Sequence, residues 1–132
     1  MKPSTARILL SSSALFMAAL GLIATFAPEK FLGPGAIGFM TTLVTQIAGA
    51  LYLGFAILNW MAKDNAIGGI YSRPVSLGNL LHFFAVAMAL LRLVAAGDHQ
   101  SALWIITLIY AVFAVGFGLL VFGKSPGSAQ TT

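Results

Sequence analysis

The sequence predicts an all-α integral membrane protein, an antiparallel up-down bundle of four helices, from three observations. Of 132 residues, 59% are hydrophobic and 8% charged, whereas a soluble domain carries about 25% charged residues, so this chain cannot dress a water-facing surface. Its apolar residues fall into four continuous runs, about 8–27, 41–62, 76–96 and 101–122. Each run is about 20 residues, which at 1.5 Å rise per residue matches a hydrocarbon core of about 30 Å. Transmembrane strands would be about 10 residues long and would alternate in polarity; these runs do neither.

The first span follows Lys2 and Arg7. A cleaved signal peptide also opens on basic residues, but its apolar core is shorter, and here Pro28 would sit directly after the cleavage point. The span is therefore read as retained. Pro28 ends it, and Gly33-Pro34-Gly35 keeps it from resuming. Asp64-Asn65 and Gly68-Gly69 close the second span, and Arg73-Pro74 leads into the third. Gly97-Asp98-His99-Gln100 is a tight connection, so spans three and four form an antiparallel hairpin. Residues 1–123 make one four-span domain. The polar segment 124–132 has nothing to bury and reads as a disordered cytoplasmic tail.

With four crossings, Lys2, Arg7, Lys63, Arg73 and Lys124 share one side, while Lys30 and Arg92 lie toward the other. That bias places both termini in the cytoplasm. The net charge of +4 thus reflects topology and anionic headgroups. Nucleic acid is excluded as a partner, because no clustered basic run is present. The bilayer is the partner the composition requires, with a homo-oligomer or a larger membrane complex as the protein partners it allows.

Polar side chains inside a span call for protein or water partners. Ser11, Ser12 and Ser13 on the first span, Asn59 on the second, and Asn79 and His82 on the third all lie near the cytoplasmic end. With Lys63 and Arg73 at the rim, they predict a polar pocket, of which Ser12, Asn59, Lys63, Arg73, Asn79 and His82 are the candidate ligand-binding residues. Gln46 and Arg92 form a second polar layer toward the far face. On span three, Gly78, His82, Ala85, Ala89 and Ala96 share a stripe at 100° per residue, predicting a close helix approach with His82 turned into protein. On span two the corresponding stripe is Gln46, Gly49, Ala50, Leu53 and Ile57; span four offers Ala111, Ala114 and Gly118.

Each of these residues has a plainer reading. His82 can be a packed histidine bonded to a neighbouring serine or asparagine. Arg92 can snorkel to the interface, and Gln46 and Asn59 can be interhelical glue. Trp60, Tyr71 and Trp104 read as interface anchors, and Lys63 and Arg73 as topology charges.

Much chemistry is ruled out. There is no cysteine, hence no disulfide or thiol chemistry. Glu29, Asp64 and Asp98 all lie at connections, so no span carries the carboxylate switch of a proton-coupled cation exporter. Two histidines without nearby acids do not build a metal site. His82 and His99, about 25 Å apart along a helix at 1.5 Å per residue, cannot clamp one haem. No Gly-x-Ser-x-Gly elbow occurs, and Gly33, Gly35 and Gly38 lack the strand that a dinucleotide fingerprint requires. No catalytic residue is assigned, and no cofactor beyond a quinone or lipid.

At residues 27–33, Ala-Pro-Glu-Lys-Phe-Leu-Gly, and 49–56, Gly-Ala-Leu-Tyr-Leu-Gly-Phe-Ala, the chain resembles the DoxX-like group of small four-helix bacterial membrane proteins. The resemblance implies a multi-pass protein of the bacterial inner membrane. It also implies a link to sulfur-compound oxidation with quinone or to oxidative-stress complexes; no catalytic residue carries over by position. Leu51-Tyr52-x-x-Phe55-Ala56 echoes Ile109-Tyr110-x-x-Phe113-Ala114, as a duplicated hairpin or chance would leave it. The leading expectation is an accessory or redox-linked subunit whose pocket holds a quinone or lipid. A structural assembly subunit is the first alternative and a small oligomeric transporter or channel the second, though an apolar mid-bilayer layer opposes a hydrated path.

Overall fold

The computed structural model describes residues 1–33, 35–64, 72–97 and 101–123. Every regular element among them is helical: α1 (Pro3–Phe26), a short 3-10 turn (Pro28–Lys30), α2 (Phe39–Ala62), α3 (Ser72–Ala95) and α4 (Ser101–Phe122). All four α-helices are long and apolar enough to cross a membrane. Pro34 and the segments 65–71, 98–100 and 124–132, with Gly68-Gly69, Tyr71, Asp98, His99 and the expected tail, lie outside the described residues.

Three helices start earlier than the apolar runs suggest. α1 opens at Pro3 rather than near Ile8, because a proline in the first turn gives up an N–H that has no helical partner anyway. The Lys2 carbonyl accepts the N–H groups of Thr5 and Ala6 at 3.1 and 3.2 Å. The same reason carries α3 back to Ser72, with Pro74 in its first turn. α2 begins at Phe39 because the Thr41 hydroxyl accepts the Gly38 N–H at 3.0 Å and donates to the Ala36 carbonyl at 2.7 Å, a side-chain cap on the helix start. α3 stops at Ala95; Gly97, with φ +99°, supplies the left-handed residue that commonly ends a helix.

The chain folds as two units, Leu10–Asp64 and Met1–Leu9 with Asn65–Thr132. In the first, α1 and α2 run antiparallel: Ser13 meets Asn59, Gly21 meets Leu53 and Gly49, and Thr25 meets Gln46. The crossing is tight. A Cβ on Gly49 would stand 2.5 Å from Thr25 Oγ1 and 2.7 Å from the Thr25 backbone nitrogen, and one on Gly21 would stand 2.9 Å from the Gly49 carbonyl oxygen. Small residues at such a crossing let two backbones approach.

In the second unit α3 packs along α4. Leu80 lies against Gly118, and Phe83, fully buried, stacks with Phe113 and Phe117 at centroid separations of 4.8 and 5.6 Å. Leu9 of α1 packs on Gly116 of α4.

The face α3 buries is not the small-residue stripe that the sequence suggests. Ser76, Asn79, Phe83, Ala87 and Val94 are buried, Gly78 and His82 are half-buried, and Ala85, Ala89 and Ala96 are exposed. The volume of Phe83 among aromatic rings of α4 outweighs close approach through alanines, since dispersion scales with the atoms brought together. On α2 the buried residues are Gly49, Ala56 and Asn59, while Gln46, Ala50 and Ile57 of the expected stripe are exposed. On α4, Ala114 is buried and Ala111 and Gly118 are half-buried.

Candidate functional site

The candidate residues divide between the units. Ser12, Gln46, Asn59 and Lys63 belong to the first; Arg73, Asn79, His82 and Arg92 belong to the second.

Asn59, near the end of α2, is fully buried and donates from Nδ2 to the Ser13 hydroxyl at 3.1 Å. Ser13 in turn donates to the Leu10 carbonyl one turn back, at 3.0 Å. The single hydroxyl proton is thereby committed, so Ser13 can only accept from Asn59, and the amide must present its nitrogen. Met17 Sδ, 3.8 Å from the same nitrogen, adds a weak second acceptor. The sequence points to Ser12 for this site, but Ser12 is exposed and Ser13 is the serine turned inward. The spacing of Ser13 with the buried Leu10, Met17 and Gly21 is the signal that selects it.

At the end of α2, Lys63 Nζ stands 3.2 Å from the centroid of the Trp60 ring, a cation–π contact that draws the rim lysine along its own helix. Gln46, expected to share a layer with Arg92, donates to the Thr25 carbonyl at 3.2 Å. That oxygen is among the last of α1, where helical partners run out, so Gln46 satisfies the end of a neighbouring helix. Arg92 is exposed in the last turn of α3.

On α3 the polar residues recur every three positions. Arg73 is exposed, Ser76 and Asn79 are buried, and His82 is half-buried at the edge of the same face. Asn79 Nδ2 donates to the Val75 carbonyl at 2.8 Å, which meets part of the amide's requirement inside its own helix. The His82 ring lies 5.3 Å from Phe83, edge to face, and 6.1 Å from the Tyr110 ring. Phe83 and Tyr110 are themselves 5.5 Å apart. An imidazole with two hydrogen-bonding nitrogens is thus set against two aromatic planes.

Ser76, Thr107 and Tyr110, all buried, are not among the sequence candidates. Ser76 reads from sequence as a helix-start residue, although it sits three positions before Asn79. Thr107 sits three before Tyr110 on α4 and donates to the Leu103 carbonyl at 2.6 Å. Ser76, Asn79 and Thr107 are thus buried polar groups in the unit that also holds the rings of Phe83 and Tyr110. Compared with known proteins, the chain matches no family model, no curated protein and no solved structure.

Proposed function

We propose that this chain is a multi-pass protein of the bacterial inner membrane, a four-helix up-down bundle with both termini in the cytoplasm. It acts as an accessory or redox-linked subunit that holds the head of a lipophilic ligand, a quinone or a lipid. The observation that supports this reading best is His82, half-buried on α3 with its ring 5.3 Å from that of Phe83 and 6.1 Å from that of Tyr110. An imidazole N–H donates to a carbonyl oxygen, and the aromatic cluster beside it gives the position an apolar wall. Asn79 and Ser76, about one and two turns toward the helix start, continue the polar line.

A second reading, a structural subunit of a larger membrane complex, draws on different residues. Ala85 and Ala89 on α3, with Ala96 just past its end, are exposed small residues, the kind of surface against which another helix packs. One experiment separates the two. The detergent-purified protein is assayed for co-purified quinone and lipid and for associated polypeptides, as wild type, His82→Ala and Ala89→Leu. Ligand retention falling at least tenfold in His82→Ala alone, with helix content unchanged, supports the ligand-binding reading. Full retention in His82→Ala, with polypeptides lost from Ala89→Leu, replaces it with the structural one.

A further inference from the structure

We propose that the connection between α1 and α2 is an interfacial foot, seated in the headgroup layer of the bilayer with Phe31 and Ile37 among the upper acyl chains. The proposal rests on the reading of these two helices as membrane spans. At 24 residues each and 1.5 Å per residue, α1 and α2 are about 36 Å long. A hydrocarbon core of about 30 Å lies within a bilayer of about 40–45 Å, so α1 ends and α2 begins inside the headgroup layer. The connection therefore leaves from that layer and returns to it.

Its side chains suit that level. Phe31 and Ile37 are 50% and 58% exposed, and Phe26 and Phe39, at the two helix ends, are more exposed still. The apolar outer surface of α1 and α2 thus continues onto the connection. Glu29 and Lys30 are the only charges in the sequence from 27 to 38; adjacent and opposite, they leave apolar burial as the attraction, whatever the headgroup charge. Irregular backbone at such a depth is costly unless its polar groups are met internally, and here they are met. Lys30 donates its N–H to the Ala27 carbonyl at 3.0 Å, Phe31 and Leu32 donate to that of Pro28 at 3.0 and 3.1 Å, and Ala36 donates to that of Gly33 at 2.8 Å. The Thr41 hydroxyl accepts the Gly38 N–H and donates to the Ala36 carbonyl. Acyl chains supply neither donors nor acceptors, and N–H groups committed in this way ask for none; a docked protein would bring acceptors that they no longer need. Gly33 and Gly35, where an added Cβ would meet nothing within 4 Å, have no side chain to insert and form the aqueous side of the foot.

The full chain, which has no native cysteine, is reconstituted in phosphatidylcholine vesicles as Phe31→Cys, Ile37→Cys, Gly35→Cys and Leu15→Cys, each carrying a nitroxide spin label. Collision with oxygen, which concentrates among acyl chains, is compared with collision with a water-soluble nickel chelate. Labels on Phe31→Cys and Ile37→Cys are expected to be oxygen-rich and chelate-poor, like that on Leu15→Cys, an exposed position midway along α1. The Gly35→Cys label is expected to be chelate-rich. Adding Phe31→Ser to Ile37→Cys is expected to raise chelate access about tenfold, the factor that losing one buried aromatic side chain permits, whereas Phe31→Leu keeps it low. Chelate access in Phe31→Cys and Ile37→Cys equal to that in Gly35→Cys overturns the inference and puts the connection in water. So does exclusion of both reagents, the mark of cover by a second copy or another protein, and so does an Ile37→Cys label indifferent to Phe31→Ser. Chelate access in Leu15→Cys as well would overturn the membrane reading itself, and the inference with it.

Discussion

Asn59 shows what one polar side chain demands in an apolar surrounding. Its nitrogen reaches Ser13, and Ser13 donates its proton to Leu10, so three groups are met by two bonds. Removing one partner strands the other, whereas removing both leaves little unsatisfied. Ser13→Ala is therefore expected to destabilise the protein by about 1 kcal/mol, and much less when Asn59 is already leucine, with a coupling of about 0.6–1.7 kcal/mol as found for interhelical bonds in membranes. Unfolding in mixed micelles across the double-mutant cycle measures it. Zero coupling would mean that the bond contributes nothing beyond packing.

The helices pair through different devices. α1 and α2 meet through Gly21 and Gly49, where a side chain has no room; α3 and α4 meet through stacked phenylalanines. The obstacle at Gly49 is Thr25 backbone as well as its hydroxyl, which no rotamer change can clear. Gly49→Ala is thus expected to force the helices apart at about 1–3 kcal/mol. Gly54, five residues along the same helix, has nothing within 4 Å of an added Cβ. Gly54→Ala is expected to be neutral or to stabilise by up to about 1 kcal/mol, the helix-propensity gain of alanine over glycine. Thermal midpoints of the two variants in one detergent should move in opposite directions or differ clearly; equal losses would deny the close crossing.

At the scale of the molecule, large apolar side chains stand outward along all four helices, Phe39 at 81% and Phe26 and Phe122 at 77% exposure among them. Such a surface far exceeds what a soluble monomer tolerates and suits acyl chains. The proposed orientation can be tested directly because the chain has no cysteine. Ser4→Cys and Gly35→Cys, each at an exposed position, are treated with a membrane-impermeant maleimide. Gly35→Cys should label on intact cells and Ser4→Cys only after permeabilisation. Labelling of both, or the reverse order, would discard the orientation drawn from the basic residues.

What the sequence determined by itself is the number of helices, their length and, to within a few residues, their ends. These are local quantities, set by continuous apolar runs and by Pro28, Gly33-Pro34-Gly35 and Gly97 at the breaks. Prolines in first turns account for the earlier starts of α1 and α3, a local signal that hydropathy alone treats as lead-in. Only the tertiary structure decided which face of each helix turns inward. It selects Ser13 over Ser12, and Phe83 with Asn79 over the alanines of α3. The reason is that polarity contrast marks the buried side of a helix in water. Around helices whose outer surface is as apolar as their core, that contrast disappears, and the shape of neighbouring side chains decides.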